Sequence, residues 1–162
     1  MKISEPDKNL IDGSKFRIAI IVSKFNKSIT GGLLDGAKAA LKKLTVKEKN
    51  IKIFYVPGAF EVPFALKYLC ESNSKNKFDG IITLGCIIKG ETAHFEYISG
   101  VVSKNIQNIS LQFNIPVGFG VLTCYTPEQA VQRSIGKFPS SENNKGFESA
   151  IAVIEMVKLF KK

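Results

Sequence analysis

The sequence predicts an α/β three-layer sandwich in which a four-stranded parallel sheet is covered by helices on both faces. Two observations carry that expectation. Four short apolar runs, rich in β-branched residues, show little period-two alternation, which is how strands read when both of their faces are buried. Each run is followed by a segment with helical apolar spacing, and strand alternating with helix four times builds a parallel sheet between two helix layers. At 162 residues the chain has room for one core of ordinary size. Residues 1–162 are therefore read as a single domain, with 1–14 as an extended N-terminal arm.

The first strand is predicted over 16–23 (FRIAIIVS), after which Ile29, Leu33, Ala37, Ala40, Leu41 and Leu44 recur at helical spacing. Asn50 closes that unit, and 51–56 reads as the second strand. Pro57-Gly58 breaks the chain before a helix over 59–72, in which Phe60, Phe64 and Tyr68 stand four residues apart. Residues 78–84 (FDGIITL) form the third apolar run, 85–90 a loop, and the stretch to about 113 a long helix. The fourth run is 116–123 (PVGFGVLT). Thr126-Pro127-Glu128 supplies a hydroxyl cap, a proline at the first helical position and an acid facing the helix dipole. That short helix ends near Ile135, a polar loop covers 136–145, and the last helix carries Phe147, Ala150, Ile151, Ile154 and Val157 on one stripe. The plan is doubly wound and flavodoxin-like, and in such sheets ligands bind beyond the carboxyl ends of the strands. Attention falls on Phe25-Asn26, 57–61, 85–94 and 123–126.

Composition removes several classes of function. Hydrophobic residues make up 44% and charged residues 23% of the chain, the balance of a globular protein in water. Apolar stretches such as 18–22 are far too short to span a bilayer, and the polar 1–10 segment lacks the apolar core of a secretion signal. A cytoplasmic location with no membrane partner is expected. Cys70, Cys86 and Cys124 are odd in number, widely spaced and without a C-x-x-C pair, so they read as reduced thiols. A metal site would have to be assembled around a single histidine, and no metal is expected. The net charge of +9 at pH 7 fits a nucleic-acid binder, an anionic substrate, or a lysine-rich solvated surface. The lysines are scattered in short groups, which favours solvation, and no helix-turn-helix, RNP or KH signature marks nucleic acid as a partner.

The positions after the strands hold unusual residues. Phe25-Asn26 stands where a dinucleotide-binding protein carries G-x-G-x-x-G, and no P-loop occurs anywhere, so no nucleotide cofactor is expected. Phe25 either caps the core or stacks on a flat heterocycle. Glu61, between two prolines, either compensates a helix dipole or accepts hydrogen bonds from a polyol. The third junction, GCIIKGETAHFEY from Gly85, is the most informative. Two glycines frame a loop whose backbone can approach a ligand. Thr92 is read as a helix cap, with free N–H groups beside it suited to a phosphate. His94, the chain's one histidine, lies beyond the third strand. An imidazole, with an ordinary pKa of about 6.5, exchanges protons at cellular pH. Arg133 is one of two arginines in a chain that otherwise uses lysine. It offers a planar fork to an oxyanion or completes a helix C-terminus.

These blocks carry a resemblance. FN at Phe25, VPGAFEVP from Val56, GxxIKGETAHFEYIS from Gly85, GFGVLT from Gly118, EQAxxR from Glu128 and NKG from Asn144 occur in the order found in the lumazine synthase family, from the first strand to the last helix. The resemblance implies condensation of 5-amino-6-(D-ribitylamino)uracil with 3,4-dihydroxy-2-butanone 4-phosphate, without a cofactor. It implies that Phe25 stacks on the uracil ring, that Ala59, Phe60 and Glu61 frame the ribityl chain, and that Cys86, Ile87 and Ile88 meet the uracil largely through backbone. Glu91, Thr92 and Arg133 would form the phosphate pocket, Phe119 would close the ring pocket, His94 would shuttle protons, and Lys145 is a weaker candidate for the edge. It further implies a homo-oligomer, a pentamer or multiple of pentamers, with Phe119 and Arg133 supplied by the adjacent chain. Three departures stand out: Cys86 replaces a common threonine, Lys89 replaces a common arginine, and 134–143 is about four residues longer than the family's compact linker. The longer loop favours a free pentamer over a shell. Rival readings are a flavin- or nucleotide-binding flavodoxin-like module without turnover and the related archaeal-type riboflavin synthase, against which the GETAHFEY block speaks.

Overall fold

The computed structural model describes residues 11–72, 78–136 and 143–161. Four strands, β1 (Ile18–Ser23), β2 (Ile51–Val56), β3 (Gly80–Ile88) and β4 (Val117–Cys124), form one sheet in the order β2-β1-β3-β4. Every pairing is parallel. Among the described residues, five α-helices join and cover them: α1 (Lys27–Lys43), α2 (Val62–Glu71), α3 (His94–Phe113), α4 (Pro127–Ser134) and α5 (Lys145–Phe160). The three-layer, flavodoxin-like plan expected from the sequence is the one observed.

Two apolar clusters fill the spaces on either side of the sheet. Ile18, Ile20 and Val22 of β1 pack with Leu33, Ala37, Leu41, Ile151 and Ile154 on the layer of α1 and α5. Ala19 and Ile21 point the other way, towards Val62 and Leu66 of α2 and Val102 and Ile106 of α3. β1 and most of β3 are therefore buried on both faces, and that is why their sequences lack alternation.

Close helix packing explains a glycine pair. A Cβ on Gly146 would lie 1.9 Å from the Leu33 carbonyl oxygen, and one on Gly36 would lie 2.1 Å from Asn144 Oδ1. α1 and the start of α5 thus touch backbone to backbone. Asn144 is the fastening: its amide donates to the carbonyls of Gly32 (3.0 Å) and Ser134 (2.7 Å), and its Oδ1 caps α5 by accepting from Phe147 N–H (3.1 Å).

Three local expectations need correction. Residues 85–88, expected in a loop, continue β3, because β4 runs alongside and pairs with them as far as Ile88 opposite Cys124. Thr92 does not cap α3: the residue before the helix is Ala93, with no side-chain hydrogen bond. The helix expected from 59 opens with a 3-10 turn over Ala59–Glu61, and the Phe60, Phe64, Tyr68 stripe faces outward at 58%, 76% and 62% exposure. Thr126 does cap α4, accepting from Gln129 N–H at 3.3 Å, with Pro127 at its first position. Of the N-terminal arm, 1–10 lies outside the described residues. Its end is tied to the α1–β2 junction through Gly13 N–H on the Leu44 carbonyl and Thr45 Oγ1 on Asp12. Most of the lengthened 134–143 linker also lies outside the described residues. No helix among them is long and apolar enough to cross a membrane.

Candidate active site

The strands end at different heights, and the site lies on that step. β3 pairs with β1 only to Leu84, opposite Val22, but with β4 to Ile88. Past β1 the chain leans on β2's end, with Lys24 N–H on the Val56 carbonyl (2.8 Å) and Phe25 N–H on that of Pro57 (3.1 Å). Asn26 then takes a left-handed conformation, φ 56°, which asparagine adopts more readily than most residues. Its Nδ2 donates to the Cys86 carbonyl at 3.2 Å, bridging the β1–α1 corner to β3. β1 and β3 are also where the winding reverses, since the chain goes from β1 out to β2 and back past β1 to β3. Such a switch point leaves a crevice.

A cavity of about 340 Å³ opens there. Phe25 and Asn26 supply one wall, Gly58, Ala59 and Phe60 a second, Cys86 to Ile88 the floor, and His94 with Ile98 the α3 side. Phe25 is 69% exposed, so of its two sequence readings the core cap is removed: its ring is offered to the crevice. An exposed aromatic beside a cavity has the flat apolar face that stacking on a planar ligand requires. Ile98, one helical turn after His94, and Gly58 complete the lining. The sequence reading named neither Asn26 nor these two as site residues. Only their position after a strand or one turn from His94 signals them.

His94 is the first residue of α3 and exposed to solvent. No side chain caps the helix, so its leading N–H groups remain available to an anion. The segment before it is clamped. Lys89 Nζ lies 3.0 Å from Glu96 and 5.7 Å from the Tyr125 ring centre, and Phe95 packs on Tyr125 with ring centres 5.9 Å apart. The hydrogen bond to Glu96 holds Lys89 above its ordinary pKa and Glu96 below its own, so both stay ionised around neutrality. The loop is thereby tied to the end of β4.

The remaining sequence candidates lie off the cavity lining. Glu61 Oε2 accepts from Gly58 N–H at 2.9 Å, closing the turn that opens α2. Glu91 and Thr92 are exposed on the loop before His94. Phe119 sits on β4 opposite Thr83, five residues short of the Ile88–Cys124 pair, which is about 16 Å along the strand. It lines a separate hollow of about 240 Å³ with Ser103, Ile106 and Gln107 of α3. Arg133 is exposed at the end of α4, its guanidinium donating to the Gln129 carbonyl at 3.0 Å. Lys145 binds Glu148 at 2.8 Å through both carboxylate oxygens. The three cysteines are free and buried. Burial pushes the Cys86 thiol up to about 12 and the Cys70 thiol up to about 11, and it raises Cys124 against the opposing charge of Arg133. None is a nucleophile at neutral pH.

Comparison with known proteins gives a consistent result. The family model described as 6,7-dimethyl-8-ribityllumazine synthase matches residues 15–161. A protein of Campylobacter lari named 6,7-dimethyl-8-ribityllumazine synthase is 46% identical over 162 residues, covering 100% of this chain and 98% of its own. Two Campylobacter jejuni proteins of the same name are 48% identical over 158 residues, covering 94% of this chain and 98% of theirs.

Proposed function

The chain belongs to the 6,7-dimethyl-8-ribityllumazine synthase family, and from that membership we propose how its residues divide the work. The activity is that of the family: an enzyme of riboflavin biosynthesis that condenses 5-amino-6-(D-ribitylamino)uracil with 3,4-dihydroxy-2-butanone 4-phosphate, releasing phosphate and water.

The single observation that carries the assignment of roles is the chain's one histidine at the rim of a cavity walled by an exposed phenylalanine. Phe25 stacks on the pyrimidine, and the end of β3 from Cys86 to Ile88 meets its edge through backbone groups. Ala59, Phe60 and Glu61 lie along the ribityl chain. The amine nucleophile belongs to the substrate, so the enzyme needs no nucleophile of its own. Holding two reactive partners together supplies much of the acceleration. Proton transfers during imine formation, phosphate loss and ring closure fall to His94. The uncapped start of α3, with Glu91 and Thr92, faces the phosphate.

Phe119 and Arg133 act from a neighbouring copy. Each lies away from the cavity of its own chain, and a head-to-tail ring brings one chain's β4 and α4 to the next chain's β3 and α3. The assembly is a free pentamer, supported by the length of the 134–143 linker. A reducing cytoplasm is the setting, supported by three buried free thiols. The test mixes purified protein with both substrates while lumazine absorbance and phosphate are followed together. Equal molar appearance of the two is expected; phosphate without lumazine, or neither, rejects the activity.

A further inference from the structure

We infer that Asn144 is a positioning residue for Arg133: its buried side-chain amide holds the end of α4, and with it the guanidinium, in the place from which it reaches the butanone phosphate bound in a neighbouring copy. This role depends on the proposed contact of Arg133 with that phosphate.

α4 has little of its own to fix it. A helix of eight residues is marginal without packing, and α4 buries only two small side chains, Ala130 and Ser134. Val131 and the following Ile135 are 43% and 59% exposed. Thr126 caps the start of the helix. At the other end, the Ser134 carbonyl belongs to the last turn, whose carbonyls a helix cannot pair by itself. Asn144 Nδ2 donates to it at 2.7 Å, and both residues are buried. Arg133 moves with this end, because its guanidinium donates to the Gln129 carbonyl one turn back. One N–H is engaged there, and the rest of the fork remains for an oxyanion.

The Asn144 amide goes beyond what capping requires. Capping α5 takes only the Oδ1 that accepts from Phe147 N–H, and a serine hydroxyl caps about as well. The amide nitrogen donates instead to the carbonyls of Ser134 and of Gly32 on α1. α1 is shaped to admit it. A Cβ on Gly32 would lie 2.3 Å from the Ser134 carbonyl oxygen, and the one on Gly36, a turn later, would meet Asn144 Oδ1. Glycine inside a helix lowers stability relative to alanine. α1 carries these two where the Ser134 carbonyl and the Asn144 side chain lie against its backbone. The end of a weakly packed helix is thereby pinned to the layer of α1 and α5, and a side chain at its tip keeps one position only if such a support is rigid.

Steady-state kinetics of Asn144→Ser, Arg133→Lys and the double variant, with each substrate varied in turn, test this support. Asn144→Ser keeps the cap and drops the amide. Losing one neutral hydrogen bond lowers the fraction of correctly placed guanidinium, so KM for the butanone phosphate rises about three- to tenfold, while kcat and KM for the uracil stay within about twofold. In the Arg133→Lys background the same substitution adds little, because a flexible ammonium needs no exact placement. Gly32→Ala pushes the Ser134 carbonyl away with Asn144 intact and gives the same selective rise. It decides the matter if Asn144→Ser does not fold. An unchanged KM in folded Asn144→Ser, or failing that in Gly32→Ala, overturns the positioning role alone where Arg133→Lys does raise KM. A rise shared by both substrates, or undiminished in the Arg133→Lys background, overturns it too, by marking a purely structural role. An unchanged KM for the butanone phosphate in Arg133→Lys rejects the fork-to-phosphate contact, and the role of Asn144 with it.

Discussion

The mouth over β1 and β3 and the flank formed by β4 and α4 carry the same kinds of residue for opposite structural reasons. At the mouth, Phe25 and His94 converge on one cavity from two helix starts, and Asn26 and the Lys89–Glu96 pair hold those starts in place. On the flank, Phe119 and Arg133 are also an exposed aromatic and an exposed base. They converge on no common cavity among the described residues of their own chain. The first region lines a cavity; the second exposes an aromatic and a base on the surface. On the proposed division of roles, the mouth binds the ring, transfers protons and meets the phosphate at the start of α3, and the flank of a neighbouring copy adds Phe119 and Arg133.

Substitutions at the two regions therefore have different signatures. His94→Ala, at the mouth, is expected to slow turnover about ten- to a thousandfold while leaving the fold intact, as loss of a general acid/base does. A purified variant with unchanged kcat removes the imidazole from the chemistry. Asn144→Ala acts on the flank, because Asn144 fastens the Ser134 carbonyl at the end of α4, one residue from Arg133. It forfeits a helix cap and unpairs two carbonyls, so about 3 kcal/mol of stability should go, read from a urea transition. A loss below 1 kcal/mol shows that the α1–α5 contact holds the flank unaided. Arg133→Lys keeps the charge and loses the fork, raising KM for the butanone phosphate about fivefold with little change for the uracil. Equal changes in both erase the distinction between mouth and flank.

The buried thiols give the smallest effect. Cys86 and Cys70 have thiol pKa values raised by burial from an ordinary 9.0 to about 12 and about 11. The unfolded chain gives up these protons first. Their contribution is thus fully present below pH 9 and is lost as the pH rises towards 11 and 12. Stability measured between pH 7 and 8.5 should show no thiol-dependent slope, with a decline setting in above 9 that Cys70→Ala diminishes. A slope already present at pH 8 contradicts the inertness of these groups.

Much of this was legible before any coordinates. β1 announced itself through an unbroken apolar run, and α4 through Thr126-Pro127, because strand burial and helix capping are local chemistry. β3 is not legible beyond Leu84, since Gly85-Cys86 resembles a turn by residue type and only the neighbouring β4 makes it a strand. Thr92 is ambiguous in the same way: hydroxyls cap helices often, but α3 starts two residues later. The cavity residues on strand ends were predictable because a doubly wound sheet puts ligands there. The bond from Asn26 to the Cys86 carbonyl and the Lys89–Glu96–Tyr125 clamp are not legible, as each depends on contacts between separate segments of the chain.

The division between mouth and flank is tested most directly by mixing two defective chains. His94→Ala and Arg133→Ala, each nearly inactive alone, are unfolded together, refolded as a one-to-one mixture and assayed for lumazine formation. If the histidine of one copy works with the arginine of the next, random assembly in a head-to-tail ring restores roughly a quarter of the normal sites, and turnover recovers to that level. A mixture no more active than the average of its two components would mean that both groups must come from the same chain.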